Sequence, residues 1–240
     1  MELVIVGLAV TEYVGREWTM NEFPPNIDAI QKCPPFVSLL PSQMKELADS
    51  STFLRFRRGD QIFRPGDSAD ELFILVSGRA AISHAENDRR AVISTIWPFE
   101  VFGQCALGHS KCREATCHVP RNASAVAVPL TGVRSLMELN PRFARDMTEE
   151  ISRNVRLLAS RLISVLIRPK RQRLLDLLRQ IASSQGVVHK SGTLIPERLT
   201  HQEIGEMIGA TRETVTAILG DLRKNGVLEL VDRQILLRQP

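Results

Sequence analysis

The chain has 240 residues, of which 43% are hydrophobic and 24% charged, a globular composition that argues against a disordered protein. Its net charge is +4, and the whole excess lies in residues 168–240, where 12 basic side chains face 8 acidic ones, whereas residues 1–167 carry 19 of each. A neutral front and a basic back favour a polyanionic partner for the C-terminal part.

Residues 1–34 form an N-terminal extension without a clear assignment, for which a disordered arm and an extra strand are the alternatives. Residues 3–10 are apolar, but they are too short for a spanning helix and lack the basic start of a secretory signal. The four cysteines are too few for a disulfide scaffold. We therefore expect a cytoplasmic protein with reduced thiols and no membrane partner.

Short apolar or alternating segments separated by turn residues predict an antiparallel sandwich or barrel over residues 35–140. The turns contain glycine, proline, aspartate or asparagine, as at Gly59, Gly66 and Gly78. The predicted strands are 53–56, 61–63, 72–76, 80–83, 91–96 and 124–128.

A long helix is predicted over residues 141–167, with Asn140 as its N-cap and Pro141 in its first turn. It carries apolar residues at steps of four and three, which is the spacing of a coiled-coil seam: Met147, Ile151, Val155, Leu158, Leu162 and Val165. The alternatives are packing on its own barrel, which part of the helix must do, and homodimerisation, which the flanking arginines favour. The Arg168-Pro169 pair ends the helix and marks a hinge at 167–170.

The C-terminal region, residues 168–240, begins with a predicted helix over 170–183 and a polar loop over 185–196. Thr200 and Glu203 then form a capping box, and Thr211 caps a second short helix. Gly205 permits a close helix crossing, and Gly209 suits a left-handed turn. Two short helices joined in this way predict a helix-turn-helix, and the segments 227–231 and 234–237 predict a hairpin that forms the wing of a winged helix.

The first turn of the second helix carries the side chains that read bases in a major groove. Arginine pairs with guanine, glutamate accepts from cytosine, and threonine contacts phosphate or a thymine methyl. Arg223 and Lys224 suit phosphate. The residues predicted to contact DNA are Thr200, His201, Gln202, Thr211, Arg212, Glu213, Thr214, Thr216, Arg223 and Lys224.

The sequence resembles the cyclic-AMP-receptor/FNR (CRP/FNR) family of bacterial transcription regulators over residues 35–240. One signature is the run from Thr200 to Thr216, and the other is the glycine framework of the barrel, which includes Gly59, Gly66, Gly78 and Gly103. The resemblance implies an α+β fold: an N-terminal jelly roll of the cyclic-nucleotide-binding type, a long dimerisation helix and a C-terminal winged helix-turn-helix. It also implies a homodimer on palindromic double-stranded DNA, with recognition helices ~34 Å apart, acting with RNA polymerase.

Family members that bind cyclic nucleotides carry Phe-Gly-Glu and then Arg-Ser/Thr-Ala. Here Gln104 follows Gly103, and Arg113 and Arg121 compete for the phosphate role, with Arg113 preferred because it keeps the later elements in register. Glu114 then lies beside the phosphate, where two like charges repel. These departures argue against tight cyclic-AMP binding in the usual pose, and the alternatives are another small effector or no effector. The candidate pocket residues are Gly103, Gln104, Cys105, Arg113, Glu114, Ala115 and Arg121.

Cysteines and histidines cluster beside this pocket: Cys105, His109, Cys112, Cys117 and His118. An alternative function is therefore a redox or nitrosative-stress sensor of the same fold, in which Cys112 and Cys117 are the reactive thiols. The competing interpretation is that Cys105 and Cys117 are ordinary buried residues. No zinc spacing occurs, and no metal is expected. No P-loop, HExxH or Gly-x-Ser-x-Gly motif indicates an enzyme.

Departures from the family pattern lie also in the DNA reader, where Ala217 stands at a position often held by a second arginine. The expected mechanism is a two-state dimer. An event at the barrel shifts the 141–167 helices, and the hinge then repositions the two recognition helices.

Overall fold

The structure, a computed structural model, describes residues 25–86, 89–108 and 111–238. Residues 1–24 of the predicted extension, residues 87–88, and His109 of the cysteine–histidine cluster lie outside these described residues. Within the described ranges, no helix combines the length and the apolar character that crossing a membrane requires.

The described residues of the N-terminal extension fold against the barrel. Helix α1 (Pro25–Lys32), a 3-10 turn (Pro34–Phe36) and helix α2 (Pro41–Asp49) precede the first strand. Ala29 and Ile30 are fully buried in the barrel's core. The two alternatives of an arm and an extra strand are therefore wrong for residues 25–34, because the apolar face of α1 is covered by the barrel.

The barrel consists of two four-stranded antiparallel sheets. Three phenyl rings, those of Phe63, Phe73 and Phe102, fill the space between them with centroids 5.3 to 6.4 Å apart. The sheets have the orders β1-β8-β3-β6 and β2-β7-β4-β5, where the strands are β1 (Thr52–Phe56), β2 (Gln61–Phe63), β3 (Glu71–Ser77), β4 (Ala80–Glu86), β5 (Arg89–Ile96), β6 (Val101–Phe102), β7 (Thr116–His118) and β8 (Ala123–Pro129). Strands β6 and β7, two and three residues long, have no counterpart in the sequence prediction.

Two helices follow the barrel. Helix α3 (Leu130–Leu139) was not predicted, and α4 (Pro141–Ile167) matches the predicted long helix. The Asn140 side chain accepts a hydrogen bond from the backbone N–H of Phe143 at 3.2 Å, which confirms the predicted cap. Arg168 is extended, so α4 ends there, and α5 (Lys170–Gln185) begins after Pro169.

The C-terminal region is a winged helix. Helices α6 (His201–Ile208) and α7 (Arg212–Lys224) are followed by the hairpin of β11 (Leu228–Val231) and β12 (Gln234–Arg238). The predicted polar loop over 185–196 is wrong: it contains strands β9 (Val187–His189) and β10 (Gly192–Leu194), which extend the wing into a sheet of order β11-β12-β10-β9. All three residues of β9 are exposed, so no alternation of buried and exposed side chains marks it in the sequence.

Candidate nucleic-acid interface and sensor cavity

The two helices of the helix-turn-helix are held by caps and by a tight turn. The Thr200 hydroxyl accepts from the Glu203 amide at 3.2 Å, and the Glu203 carboxylate accepts from the Thr200 amide at 2.7 Å. Gly209 has φ +65°, and a Cβ on Gly205 would lie 2.6 Å from the Ala210 carbonyl oxygen. The angle between α6 and α7 is therefore set by residues that the sequence pattern identifies correctly.

The first turn of α7 presents polar side chains to solvent. Arg212, Glu213 and Thr216 are exposed, whereas Val215 is fully buried beneath them. The Glu213 amide and the Thr211 hydroxyl hydrogen-bond to the Glu213 carboxylate and lower its pKa, so it is an ionised acceptor at neutral pH. An ionised acceptor suits the amino group of cytosine.

Thr216 is tied to both helices. Its hydroxyl donates to the Arg212 carbonyl oxygen at 2.9 Å, so the 2.7 Å contact with His201 requires that the His201 Nδ1–H donate to the hydroxyl. The hydroxyl proton is thereby committed within the protein. The Thr216 methyl is the part of the side chain that suits a base edge, where it matches a thymine methyl.

A cavity of about 490 Å³ lies between the barrel, α4 and the C-terminal region. Its barrel wall includes six of the seven predicted pocket residues: Gly103, Gln104, Cys105, Arg113, Glu114 and Ala115. Ile93 to Trp97 of β5 and the following turn also line it, together with Val155 and Arg161 of α4 and Met207 of α6. Residues of the sensor, the long helix and the helix-turn-helix therefore line the same cavity.

Arg113 is the buried cation of this cavity, with 7% of its surface exposed. Its Nη1 and Nη2 donate to the backbone carbonyls of Gly103 at 3.0 Å and Glu71 at 2.5 Å, and the guanidinium lies 4.6 Å and 5.5 Å from the ring centroids of Phe63 and Phe73. Its buried Nε has no hydrogen-bond partner among the described residues. Burial lowers the pKa of Arg113. Since both bonds go to neutral carbonyls, the positive charge is available to an anion.

Arg121 does not line the cavity, so its assignment to the pocket is wrong. Its Nε lies 3.8 Å from the Glu197 carboxylate, at the boundary between barrel and C-terminal region. The loop before β8 carries it to this side of the barrel, whereas Arg113 precedes β7 and points inward.

Burial changes the assignment of the cysteines. Cys117 is fully buried, and burial raises the pKa of its thiol to about 12, so Cys117 as a reactive thiol is wrong. Cys105 is exposed rather than buried, and so is Cys112. Both exposed thiols line the cavity. In the described part of the chain, no three histidine, cysteine, aspartate or glutamate side chains are placed to hold a metal ion.

Helix α4 is buried in its first half and exposed in its second. Phe143 and Met147 pack in the barrel core with no exposed surface. Four seam positions after residue 154, Val155, Leu158, Leu162 and Val165, are exposed. The large apolar side chains of this half are 43 to 76% exposed: Val155, Leu157, Leu158, Leu162, Ile163, Val165, Leu166 and Ile167.

The barrel and the winged helix meet through Arg79, which sequence reasoning missed. Its Nε lies 3.1 Å from the Glu197 carboxylate, its Nη2 donates to the Glu203 carboxylate, and its guanidinium lies 5.9 Å from the Trp97 ring centroid. Arg79 and Glu203 are 124 residues apart, and nothing local to either residue signals the contact.

Comparison with known proteins identifies both regions. Residues 53–140 match the cyclic nucleotide-binding domain, and residues 172–240 match the Crp-like helix-turn-helix domain. The chain belongs to the CRP/FNR family. It is a transcription regulator with a DNA-binding helix-turn-helix and a cyclic nucleotide-binding domain, and the predicted fold class is confirmed.

Relatives in the CRP/FNR family include a CRP-like cAMP-activated global transcriptional regulator of Mycobacterium tuberculosis, 25% identical over 84% of this chain and 91% of the relative. A global nitrogen regulator of Synechococcus elongatus is 28% identical over 78% of this chain and 85% of the relative. Among solved structures, the c-di-GMP responsive regulator CLP of Xanthomonas campestris has a TM-score of 0.70 at 21% identity, over 83% of this chain and 99% of that chain. FixK2 of Bradyrhizobium japonicum has a TM-score of 0.71 at 19% identity, over 79% and 93%. The two structures share the fold.

Proposed function

We propose that this CRP/FNR-family regulator is a homodimer that binds palindromic double-stranded DNA through two α7 helices and acts with RNA polymerase. The observation that carries the proposal is the exposed first turn of α7, where Arg212 and the ionised Glu213 stand above a buried Val215. Arginine and glutamate discriminate guanine and cytosine in a major groove. Exposed Arg223 and Lys224 at the end of α7 supply phosphate contacts.

The DNA proposal is tested by fluorescence anisotropy on duplexes that the wild-type protein selects from a random library. Arg212→Ala should cost ~1–3 kcal/mol and relax the preference at one guanine. Arg223→Ala should weaken binding uniformly and reduce the salt slope by about 1. Lys190→Ala, in the β9–β10 turn, is the charge-matched control. Equal losses for Arg212→Ala and Lys190→Ala would contradict the assignment.

The dimer proposal rests on the exposed apolar half of α4. Coiled-coil spacing and 44 to 60% exposure at Val155, Leu158, Leu162 and Val165 suit a second copy of the same helix. Leu162→Asp should yield monomers in analytical ultracentrifugation at micromolar concentration. Val188→Asp, at a 93% exposed apolar residue of β9, makes the same chemical change elsewhere and should leave the dimer intact. A dimeric Leu162→Asp would contradict the interface.

For the sensor, we propose a small anionic effector held by Arg113 in a pocket that is atypical for cyclic nucleotides. The support is the buried guanidinium with its unpartnered Nε, beside Gln104 and Glu114 on the cavity wall. Glutamine lacks the charged acceptor, whose hydrogen bonds are about twice as strong as neutral ones. Isothermal titration with cyclic AMP should show weak or no binding, and a micromolar or tighter Kd would contradict the atypical pocket. Arg113→Lys is the matched variant.

A second candidate is redox sensing by Cys105 and Cys112, because both are exposed and both line the cavity. Hydrogen peroxide would oxidise either thiolate to a sulfenic acid, with one oxygen transferred to sulfur and the other released as water. DNA affinity of the wild type, Cys105→Ser and Cys112→Ser should then differ after peroxide treatment, with Cys117→Ser as the buried control. An oxidant response that persists in both serine variants would end this candidate.

A further inference from the structure

A buried guanidinium lies at the contact between the winged helix and its own barrel. Arg79 follows the Gly78 turn at the start of β4 and is only 1% exposed. It is paired with Glu197, which precedes α6, and Glu203, in the first turn of α6. The Trp97 ring flanks the guanidinium and packs against the hydrophobic core of the winged helix.

The Glu203 carboxylate has two tasks at this interface. One oxygen, Oε2, accepts from the Thr200 amide at 2.7 Å and from the Thr200 hydroxyl at 2.8 Å, and so caps α6. The other oxygen, Oε1, accepts from Arg79. The barrel therefore binds, through Arg79, the carboxylate that caps the start of α6, and α6 contacts α7 through His201 and Thr216.

We propose that Arg79 is a positioning residue for DNA recognition, which acts through Glu203 and Glu197 to hold each α7 at the orientation that a palindrome requires. The docking leaves the reading surface open, since Arg212, Glu213 and Arg223 are all exposed while Arg79 is paired. The Arg79 contact therefore fixes the position of α7 and leaves the exposed side chains of α7 accessible. Removing Arg79 alone would leave two largely buried carboxylates without their cation, which destabilises the docked arrangement.

This inference rests on the proposed dimer on two half-sites. It predicts different effects on the affinity for a palindrome and on the affinity for a single half-site. Binding to one half-site requires a single winged helix, whereas binding to both requires that the two winged helices stand at a fixed separation. Releasing each winged helix from its barrel should therefore weaken binding to the palindrome and leave binding to a half-site duplex nearly unchanged. It should also reduce the discrimination between the selected half-site spacing and spacings changed by one base pair.

The experiment measures the affinity of full-length protein for the palindrome that the wild type selects from a random library, for the same palindrome with a changed spacing, and for its half-site. Arg79→Met should bind the palindrome about 10-fold more weakly, within the range of allosteric coupling, and should bind the half-site as the wild type does. Arg79→Lys, which keeps one positive charge, should restore part of the loss. Glu197→Gln should give an intermediate loss and tests the same contact if Arg79→Met does not fold.

The matched control is Arg121→Met, which removes an arginine that lies 3.8 Å from the same Glu197 but is 38% exposed, and which should bind like the wild type. The inference is overturned if Arg79→Met and Glu197→Gln bind every duplex as the wild type does. An equal loss of affinity for the half-site and the palindrome would show that the substitution damages the winged helix itself, which contradicts the inference. Tighter binding would also contradict it, because it would show that docking on the barrel opposes DNA binding. A wild type without spacing dependence would defeat the proposed function itself.

Discussion

Two glycines of the helix-turn-helix make opposite predictions for the same substitution. A Cβ on Gly205, in α6, would lie 2.6 Å from the Ala210 carbonyl oxygen, which is backbone. A Cβ on Gly220, in α7, would meet nothing within 4 Å, and its backbone is helical. Alanine should therefore destabilise the C-terminal region at the first position and stabilise it at the second.

The magnitudes follow from two opposed contributions. Replacing glycine by alanine inside a helix is worth about 1 kcal/mol in either case. At Gly205 the turn must also move by several tenths of an ångström, and it carries the 2.9 Å hydrogen bond from the Ala210 amide to the Gly205 carbonyl. Overpacking of this kind costs about 1–3 kcal/mol, so the net loss at Gly205 is ~1 kcal/mol and at most ~2 kcal/mol, whereas the net gain at Gly220 is ~1 kcal/mol.

Native-state hydrogen exchange of the α6 and α7 amides in the full-length protein measures both effects as changes in the free energy of opening. The exchange of β3 and β8 in the barrel serves as the internal reference and should not change. A Gly205→Ala protein whose α6 and α7 amides are as protected as those of the wild type would refute the close crossing of the two helices. A Gly220→Ala protein whose α6 and α7 amides are no better protected than those of the wild type would refute the open space around Gly220.

Three further outcomes are expected. Iodoacetamide at about pH 8 should modify Cys105 and Cys112 and spare Cys117, whose pKa burial raises to about 12, and peptide mass spectrometry checks this. Burial lowers the pKa of His118 below its ordinary 6.5, so between the folded and unfolded pKa values the unfolded state binds more protons. Denaturant titrations should therefore show the free energy of unfolding decreasing as the pH drops through that range. His118→Gln should make this decrease smaller. Ala217→Arg should add ~1–3 kcal/mol of preference for one further guanine in library selection, and an unchanged selected motif would contradict the placement of Ala217 on the reading face.

The helix-turn-helix could be predicted in detail because its determinants are local. The capping box at Thr200 and Glu203, the left-handed Gly209 and the crossing glycine all act within about ten residues of chain. The hydrogen bonds that these residues make are fixed by residue type and spacing. The same applies to Asn140 at the start of α4.

The sensor could be predicted only in part because its chemistry is assembled from distant segments. Arg113 is held by Glu71, 42 residues away, and no local pattern distinguishes its inward orientation from the outward one of Arg121. The burial of Cys117 depends on strand pairing across the barrel, in which Cys117 pairs with Phe63 and Ile82, whereas the exposed Cys105 lies in a 3-10 turn, Gln104–Leu107. Helix α1, eight residues long, was not predicted from the sequence.

Strand β5 gives the two halves of this regulator a common wall. Thr95 and Ile96 line the sensor cavity, and Trp97, the next residue, packs against the winged helix and flanks Arg79. An effector that contacts this wall differently in two arrangements of the domains must favour one of them, and an effector that contacts both equally shifts nothing. By reciprocity, DNA bound to α7 must then change effector affinity by the same factor. The buried Arg79 contact lies where that coupling would pass between the domains, so Arg79→Met should reduce both changes together.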